Sequence, residues 1–126
     1  MTRDPIVAGA DMPLADAAEL MDFYRVSGLP VVDASGCLVG LISQTDLLHA
    51  RTTEALWHGW PGLVVRHLMT QPAVSVRANA SIDEASALME RLMIHRVVVV
   101  GNDDETPIGV LSLSDLVHSM AERVDR

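Results

Sequence analysis

At 126 residues and 13.6 kDa, the chain has material for one compact domain or for two very small ones sharing a core, and too little for a multidomain enzyme. An apolar content of 49% excludes a disordered tail, while no apolar run approaches the roughly 18 residues that a membrane span needs. Seventeen acids against nine bases leave a formal charge of -8, which argues against non-specific binding to nucleic acid or to an anionic membrane; every base is Arg, so an anionic ligand has to meet a local guanidinium.

In chain order, Ile6-Val7 reads as a short strand, and Leu14, Ala17, Ala18 and Met21 recur at helical spacing. Short β-branched runs at 29–32 and 38–42, with a polar turn between them, read as a hairpin that feeds a second helix from Thr45 to about Arg51. A connector over 52–68 holds both tryptophans, Trp57 and Trp60, which suit either a partner-docking patch or a cover for the underside of the core. The order then repeats: a strand at 74–76, a helix carrying Ile82, Ala85, Leu88, Met89 and Leu92, strands at 97–100 and 108–111, and a helix from Ser114 to about Arg123.

The repetition is literal. At an offset of 68, Met1-Thr2 falls on Met69-Thr70, Ala17 on Ala85, Leu20-Met21 on Leu88-Met89 and Val31-Val32 on Val99-Val100. One residue is inserted in the hairpin turn of the second copy, after which Gly40, Ser43, Asp46, Leu47 and His49 fall on Gly109, Ser112, Asp115, Leu116 and His118 at an offset of 69. The run 64–68 has no counterpart before Met1, so the first copy starts abruptly. The expected fold is α/β (α+β): tandem β-α-β-β-α repeats related by a pseudo-twofold axis, with repeat 1 at 1–51, repeat 2 at 69–126, and the pair packing as one globular domain because a single unit buries too little surface.

The chemistry-bearing residues cluster where each hairpin enters its second helix: Ser43-Gln44-Thr45-Asp46 and Ser112-Leu113-Ser114-Asp115. Ser-x-x-Asp ahead of an apolar run has the spacing of a capping box, and capping alone accounts for both. The same geometry presents free N–H groups and hydroxyls to an anion, and sets a carboxylate where it accepts two hydrogen bonds from a ribose diol. Both readings stay open on spacing.

The duplicated pattern Met-Thr, helix, Leu-Pro-Val-Val-Asp, then Gly-Leu-Ile-Ser-x-x-Asp-Leu and Gly-Val-Leu-Ser-x-x-Asp-Leu, resembles a tandem pair of CBS domains and covers essentially the whole chain. Residues 25–33, 94–97 and 111–115 are similar to stretches of nucleotide-sensing members such as the gamma subunit of the AMP-activated protein kinase. The resemblance implies two clefts between the repeats that take AMP, ADP, ATP or S-adenosylmethionine. In the first, Asp46 would hold the ribose, Ser43 and Thr45 would line the phosphate side, and Thr70, Val74, Ile94, His95 and Arg96 would come from the second copy. In the second, Asp115, Ser112 and Ser114 would face Thr2, Ile6, Val26 and Ser27. There Ser27-Gly28 stands where the other cleft has His95-Arg96, so phosphate would lack a charge-assisted partner.

His49 and His118, at equivalent positions, invite a metal but read more simply as helix-surface histidines, and no metal is expected. Cys37 is alone, which excludes an intrachain disulfide and a Cys-based metal cluster; with no basic-then-apolar leader at the start, a reducing cytoplasm is the expected compartment. Met12, Met21, Met69, Met89, Met93 and Met120 read as core filler. No triad, phosphate-binding Gly-rich loop or metal-hydrolase motif is present, so no enzyme is expected. The expected function is a regulatory nucleotide-binding module, homodimeric through helix faces carrying Leu20, Met21, Leu88, Met89 and Leu92, and reporting to a regulated enzyme or transporter. The rival is a structural dimerisation module with empty clefts.

Overall fold

The computed structural model describes residues 2–124, which form two compact units. One unit is Ile6–Ala73; the other joins the segment that ends at Pro5 to the chain from Val74 onward. The mixed α/β character and the duplicated element order are as expected.

In the unit Ile6–Ala73, strand β2 (Ala8–Gly9) runs parallel to β3 (Gly28–Val32), and β3 pairs antiparallel with β4 (Leu38–Ser43). Helix α1 (Leu14–Tyr24) crosses between β2 and β3, while α2 (Gln44–Thr52) leaves the end of β4 and is followed by the short α3 (Glu54–His58). The other unit repeats this with β5 (Ser75–Arg77), α4 (Ile82–Leu92), β6 (Arg96–Val100), β7 (Pro107–Ser112) and α5 (Leu113–Val124). The equivalence reaches fine detail: both hairpins shift register before their last valine, at Val31/Val32 and at Val99/Val100. Both first helices end on a left-handed residue, Arg25 and Met93, after which Val26 and Ile94 donate back to the carbonyls of Met21 and Met89.

The opening strand of the first repeat differs from the sequence expectation. Ile6-Val7 is not a strand; the pairing lies two residues on, where Ala8 and Gly9 stand opposite Val31 and Val32, and Ile6 instead lays its side chain against the apolar core. A further strand escaped the sequence reading. β1 (Thr2–Arg3) pairs antiparallel with β7, with Thr2 opposite Val110 and Arg3 opposite Gly109. Its counterpart in the other unit is the antiparallel bridge between Thr70 and Leu41, whose backbones exchange hydrogen bonds of 2.8 and 3.0 Å. Each repeat therefore lends its first threonine to the sheet of the other.

The core of the unit Ile6–Ala73 is Leu14, Ala17 and Met21 from α1 packed on Ala8, Leu29, Val31, Ile42 and Val65, all buried. In the other unit Met89, Val97 and Leu116 do the same, edged by Val74, Val76, Leu88, Ile94 and Leu111. The helical and strand periodicities read from the sequence are the inward faces of these elements. Trp60 packs on the first core, which fits the covering role, whereas Trp57 stays 42% exposed with the Arg51 guanidinium 4.6 Å above its ring. The methionines divide: Met21 and Met89 are buried, but Met93 and Met120 are 88% and 63% exposed and are not core filler.

The two hairpin turns use different chemistry. In the first, the Asp33 carboxylate accepts from Ser35 N, Ser35 Oγ and Cys37 N at 2.9, 2.7 and 3.1 Å, with Gly36 at a φ of 86°. These donors, chiefly the Ser35 hydroxyl, hold Asp33 below the ordinary carboxylate value. The longer second turn is tied by Arg77, whose guanidinium donates to the carbonyls of Gly101 and Asp104 and pairs with Glu105.

The bridge at Thr70 needs a glycine opposite it. A Cβ on Gly40 would stand 2.7 Å from Met69 Sδ and 3.0 Å from the Thr70 carbonyl oxygen, and the carbonyl cannot yield without loosening the bridge. Gly40→Ala should therefore cost about 1 to 3 kcal/mol, the range for forced overpacking, while Gly9→Ala, which meets no atom within 4 Å, should cost far less. Urea unfolding of the two variants beside wild type measures the difference.

Candidate functional site

The strand-to-helix corner of the unit Ile6–Ala73 is held by short polar contacts. Ser43 is the N-cap of α2, and its Oγ accepts from Asp46 N at 3.2 Å; Asp46 Oδ2 in turn accepts from Ser43 N at 2.9 Å and from Ser43 Oγ at 3.0 Å. This is a complete capping box. The next free amide, Gln44 N, donates to the Ser27 carbonyl at 2.9 Å. The bridge to Leu41 brings in Thr70, whose Oγ1 lies 3.5 Å from Asp46 Oδ1. Asp46, Ser43, Ser27 and Thr70, scattered over 44 positions of sequence, thus meet at one corner, with Thr45 exposed on the first turn of the helix.

The corner of the other unit is built to the same plan. Ser112 N donates to Asp115 Oδ2 at 2.8 Å, Asp115 N donates to Ser112 Oγ at 3.1 Å, and Leu113 N donates to the His95 carbonyl at 2.8 Å. The backbone of Thr2 arrives on β7 as Thr70 arrives on β4. Arg96 opens β6 directly across from Ser112; it is half-buried, and among the described residues it forms no ion pair. His95 and Ser114 are exposed, while Val74 and Ile94 are half-buried at the edge of the core. Ile6 and Val26 are half-buried against the core of the unit Ile6–Ala73.

These geometries bear on the anion reading. Two of the first amides of α2 are already engaged, by Ser27 and by the cap, so the helix N-terminus has less to offer an anion than its sequence spacing implies. The carboxylate has more to offer. In Asp46, Oδ2 takes both cap hydrogen bonds, and Oδ1 holds the one long contact from Thr70 on a half-buried side chain. That oxygen keeps lone pairs for a hydroxyl donor, which suits a diol. His118 lies 3.1 Å from Glu122 one turn along α5, an ion-pair arrangement within the helix, and His49 is exposed on α2.

The duplicated corner, with a threonine brought to its last strand and an aspartate closing the cap, is the arrangement to set against known proteins. The sequence profile of the CBS domain matches residues 1–52 and again residues 65–122. The chain belongs to the CBS domain family. This CBS pair is 32% identical over 115 residues to inosine-5'-monophosphate dehydrogenase of Helicobacter pylori, covering 90% of this chain and 22% of that protein. It is also 32% identical over 124 residues to the gamma-3 subunit of the 5'-AMP-activated protein kinase of Homo sapiens, covering 94% of this chain and 25% of that one. The CBS pair spans about a quarter of the length of these curated relatives. Among solved structures, CBSX2 in complex with AMP is similar at a TM-score of 0.83 and 31% identity, covering 100% of this chain and 95% of that one; CBSX2 comes from Arabidopsis thaliana.

The second corner carries a pH signature. Asp115 is held below its ordinary value of 3.8, chiefly by the Ser112 backbone N–H and against the upward push of partial burial. A carboxylate depressed in the folded state adds stability that is complete above its unfolded value and fades as pH falls through and below 3.8. Asp115→Asn keeps an acceptor for Ser112 N but removes the titrating charge, so it should flatten the acid limb of the urea midpoint plotted against pH.

Proposed function

We propose that the chain is a non-catalytic regulatory module that binds an adenosine-containing ligand, AMP, ADP, ATP or S-adenosylmethionine, through its strand-to-helix corners and passes occupancy to a partner as a change in shape. The observation that carries the reading is Asp46: the capping box engages one carboxylate oxygen and leaves the other beside Thr70 with lone pairs to spare. Asp46 takes the role of ribose acceptor, with Ser43 and Thr45 on the phosphate side. Arg96, half-buried and without an ion pair among the described residues, takes the role of phosphate partner, and exposed His95 adds a ring N–H donor. Asp115 with Ser112 and Ser114 offers a second subsite at the equivalent corner of the other unit, where the backbone of Thr2 stands opposite Val110; Ile6, Val26 and Ser27, expected with them, belong to the unit that holds Asp46, where the Ser27 carbonyl accepts from Gln44 N. The likeness to CBSX2, which is solved with AMP, and to the kinase gamma-3 subunit supports the ligand class.

The formed capping boxes favour a second reading, in which the motif residues only cap helices and the module serves association. Calorimetric titration with AMP, adenosine and S-adenosylmethionine separates the two, since a ligand selective for the folded state also raises the melting temperature. The nucleotide reading expects AMP to bind, Asp46→Ala to abolish binding while the fold survives, and Arg96→Ala to weaken AMP by about 1.5 to 3 kcal/mol with little effect on adenosine. Arg96→Lys should rescue only in part, because an ammonium lacks the planar fork. If no adenosine ligand binds, the capping reading stands.

The module acts as a homodimer. Of the helix residues expected to meet a second copy, Met21 and Met89 are buried in their own units, Leu20 and Leu88 are half-buried and Leu92 is 44% exposed, and a further apolar surface is on offer. It is a groove of about 450 Å³ between α4 and α5, floored by Met89, Ile94 and Leu116 and flanked by exposed Met93, Val117 and Met120. Light scattering at tens of micromolar should give a dimer mass, and Met93→Glu with Val117→Glu should give a monomer; a monomeric wild type rejects the assignment.

A further inference from the structure

Helix α1 carries on its outer side a groove of about 490 Å³ lined by Met12, Asp16, Glu19, Leu20, Asp22 and Phe23. Phe23 is 78% exposed and stands edge-on to Tyr24, itself 48% exposed, with ring centroids 4.9 Å apart. They are the sole Phe and Tyr of a chain with 3% aromatic residues, and both are spent at one open helix end. The polar side of the groove is wholly anionic. Asp16, Glu19 and Asp22 are all exposed, and none has an ion pair or a side-chain hydrogen bond among the described residues.

This arrangement works against the helix that carries it. Like charges three residues apart repel, and Asp22 adds a negative charge to the last turn, where the helix dipole is already negative and no basic residue compensates. Nor does α1 gain from its start, where Pro13 provides no side-chain cap. The duplication supplies an internal comparison. At the equivalent positions of α4, 68 residues on, Glu19 is replaced by Ala87 and Phe23 by Arg91; α4 also starts with Ser81 accepting from Glu84 N at 3.0 Å and ends with Arg91 in its last turn. One helix of the pair is thus arranged for its own stability. The other exchanges a cation for an exposed ring and adds a carboxylate.

We propose that the α1 groove docks a cationic segment of a partner protein, one that presents Arg or Lys side chains around an apolar residue. The three carboxylates meet the cations, the Met12 and Leu20 surface receives the apolar side chain, and the exposed face of Phe23 accepts a guanidinium stacked on it. An α1-to-α1 contact between two copies is poorly suited to this place, because the chain carries -8 and the contact would bring six carboxylates together, three from each copy.

The test is fluorescence anisotropy of a short labelled peptide of Arg and Leu on the full chain, with an all-Arg peptide and an Asp/Leu peptide as controls. The Arg/Leu peptide should bind most tightly, the Asp/Leu peptide not at all, and added salt should weaken binding. Asp16→Asn with Glu19→Gln and Asp22→Asn should lower affinity about tenfold or more, and Phe23→Arg, which installs the residue the fold already accepts at position 91, should do the same. Glu54→Gln with Asp83→Asn and Asp103→Asn removes the same charge elsewhere and should leave affinity within about twofold. Equal losses from the two neutralised triples, or no binding by wild type because a second copy covers the groove, overturn the proposal. All variants change exposed side chains, and their melting temperatures report that the fold is intact.

Discussion

The pairing of Thr70 with Leu41 is the contact on which the candidate site depends. Two backbone hydrogen bonds draw the start of the second repeat onto the last strand of the first, and they require that strand to carry no side chain at Gly40. Because Ser43 follows Leu41 by two residues, the same pairing sets the Thr70 hydroxyl beside the carboxylate that closes the cap of α2. The other unit makes the same exchange between Thr2 and Val110, next to Gly109. A strand two residues long gains little by itself, so its placement rests on the sheet edge that receives it.

The capping box has a double consequence. It fixes the first turn of the helix, and by using one oxygen of the aspartate for that purpose it orients the other away from the backbone. A carboxylate free to rotate would lose entropy on taking a diol; one already held by its own helix loses less. Structural capping and ligand recognition are therefore compatible uses of one residue. What separates them is whether the second oxygen finds a donor outside the protein.

Duplication also makes divergence readable. The two units share their bulge, their left-handed helix ends and their corners, so the places where they part are informative. Arg96 stands where the first repeat has Gly28, and it gives one unit a cation at the mouth of its hairpin. Glu19 and Phe23 stand where the second repeat has Ala87 and Arg91, and they give α1 an anionic, partly aromatic surface that α4 lacks. The α4 and α5 pair, by contrast, exposes Met93, Val117 and Met120 around a groove with few charges. The proposed ligand, second copy and cationic partner thus fall to different residues of a short chain.

The sequence by itself determined the duplication, the helices and hairpins of each copy and the Ser-x-x-Asp spacing of the capping boxes. These are written in local signals: β-branched runs at 29–32 and 97–100, helical spacing through Leu14, Ala17 and Met21, and Ser-x-x-Asp at two offsets that differ by one residue. What it left open depended on contacts distant along the chain. The exchanged strands at Thr2 and Thr70 are too short to carry a period, and Ile6 has the composition of a strand residue while its side chain is wanted by the core. The methionines at 93 and 120 have the same character as those at 21 and 89, and only their position on the far side of α4 and α5 leaves them outside. Burial and pairing across tens of residues belong to the tertiary structure, because hydrophobicity at one position states a preference for cover and says nothing of which surface provides it.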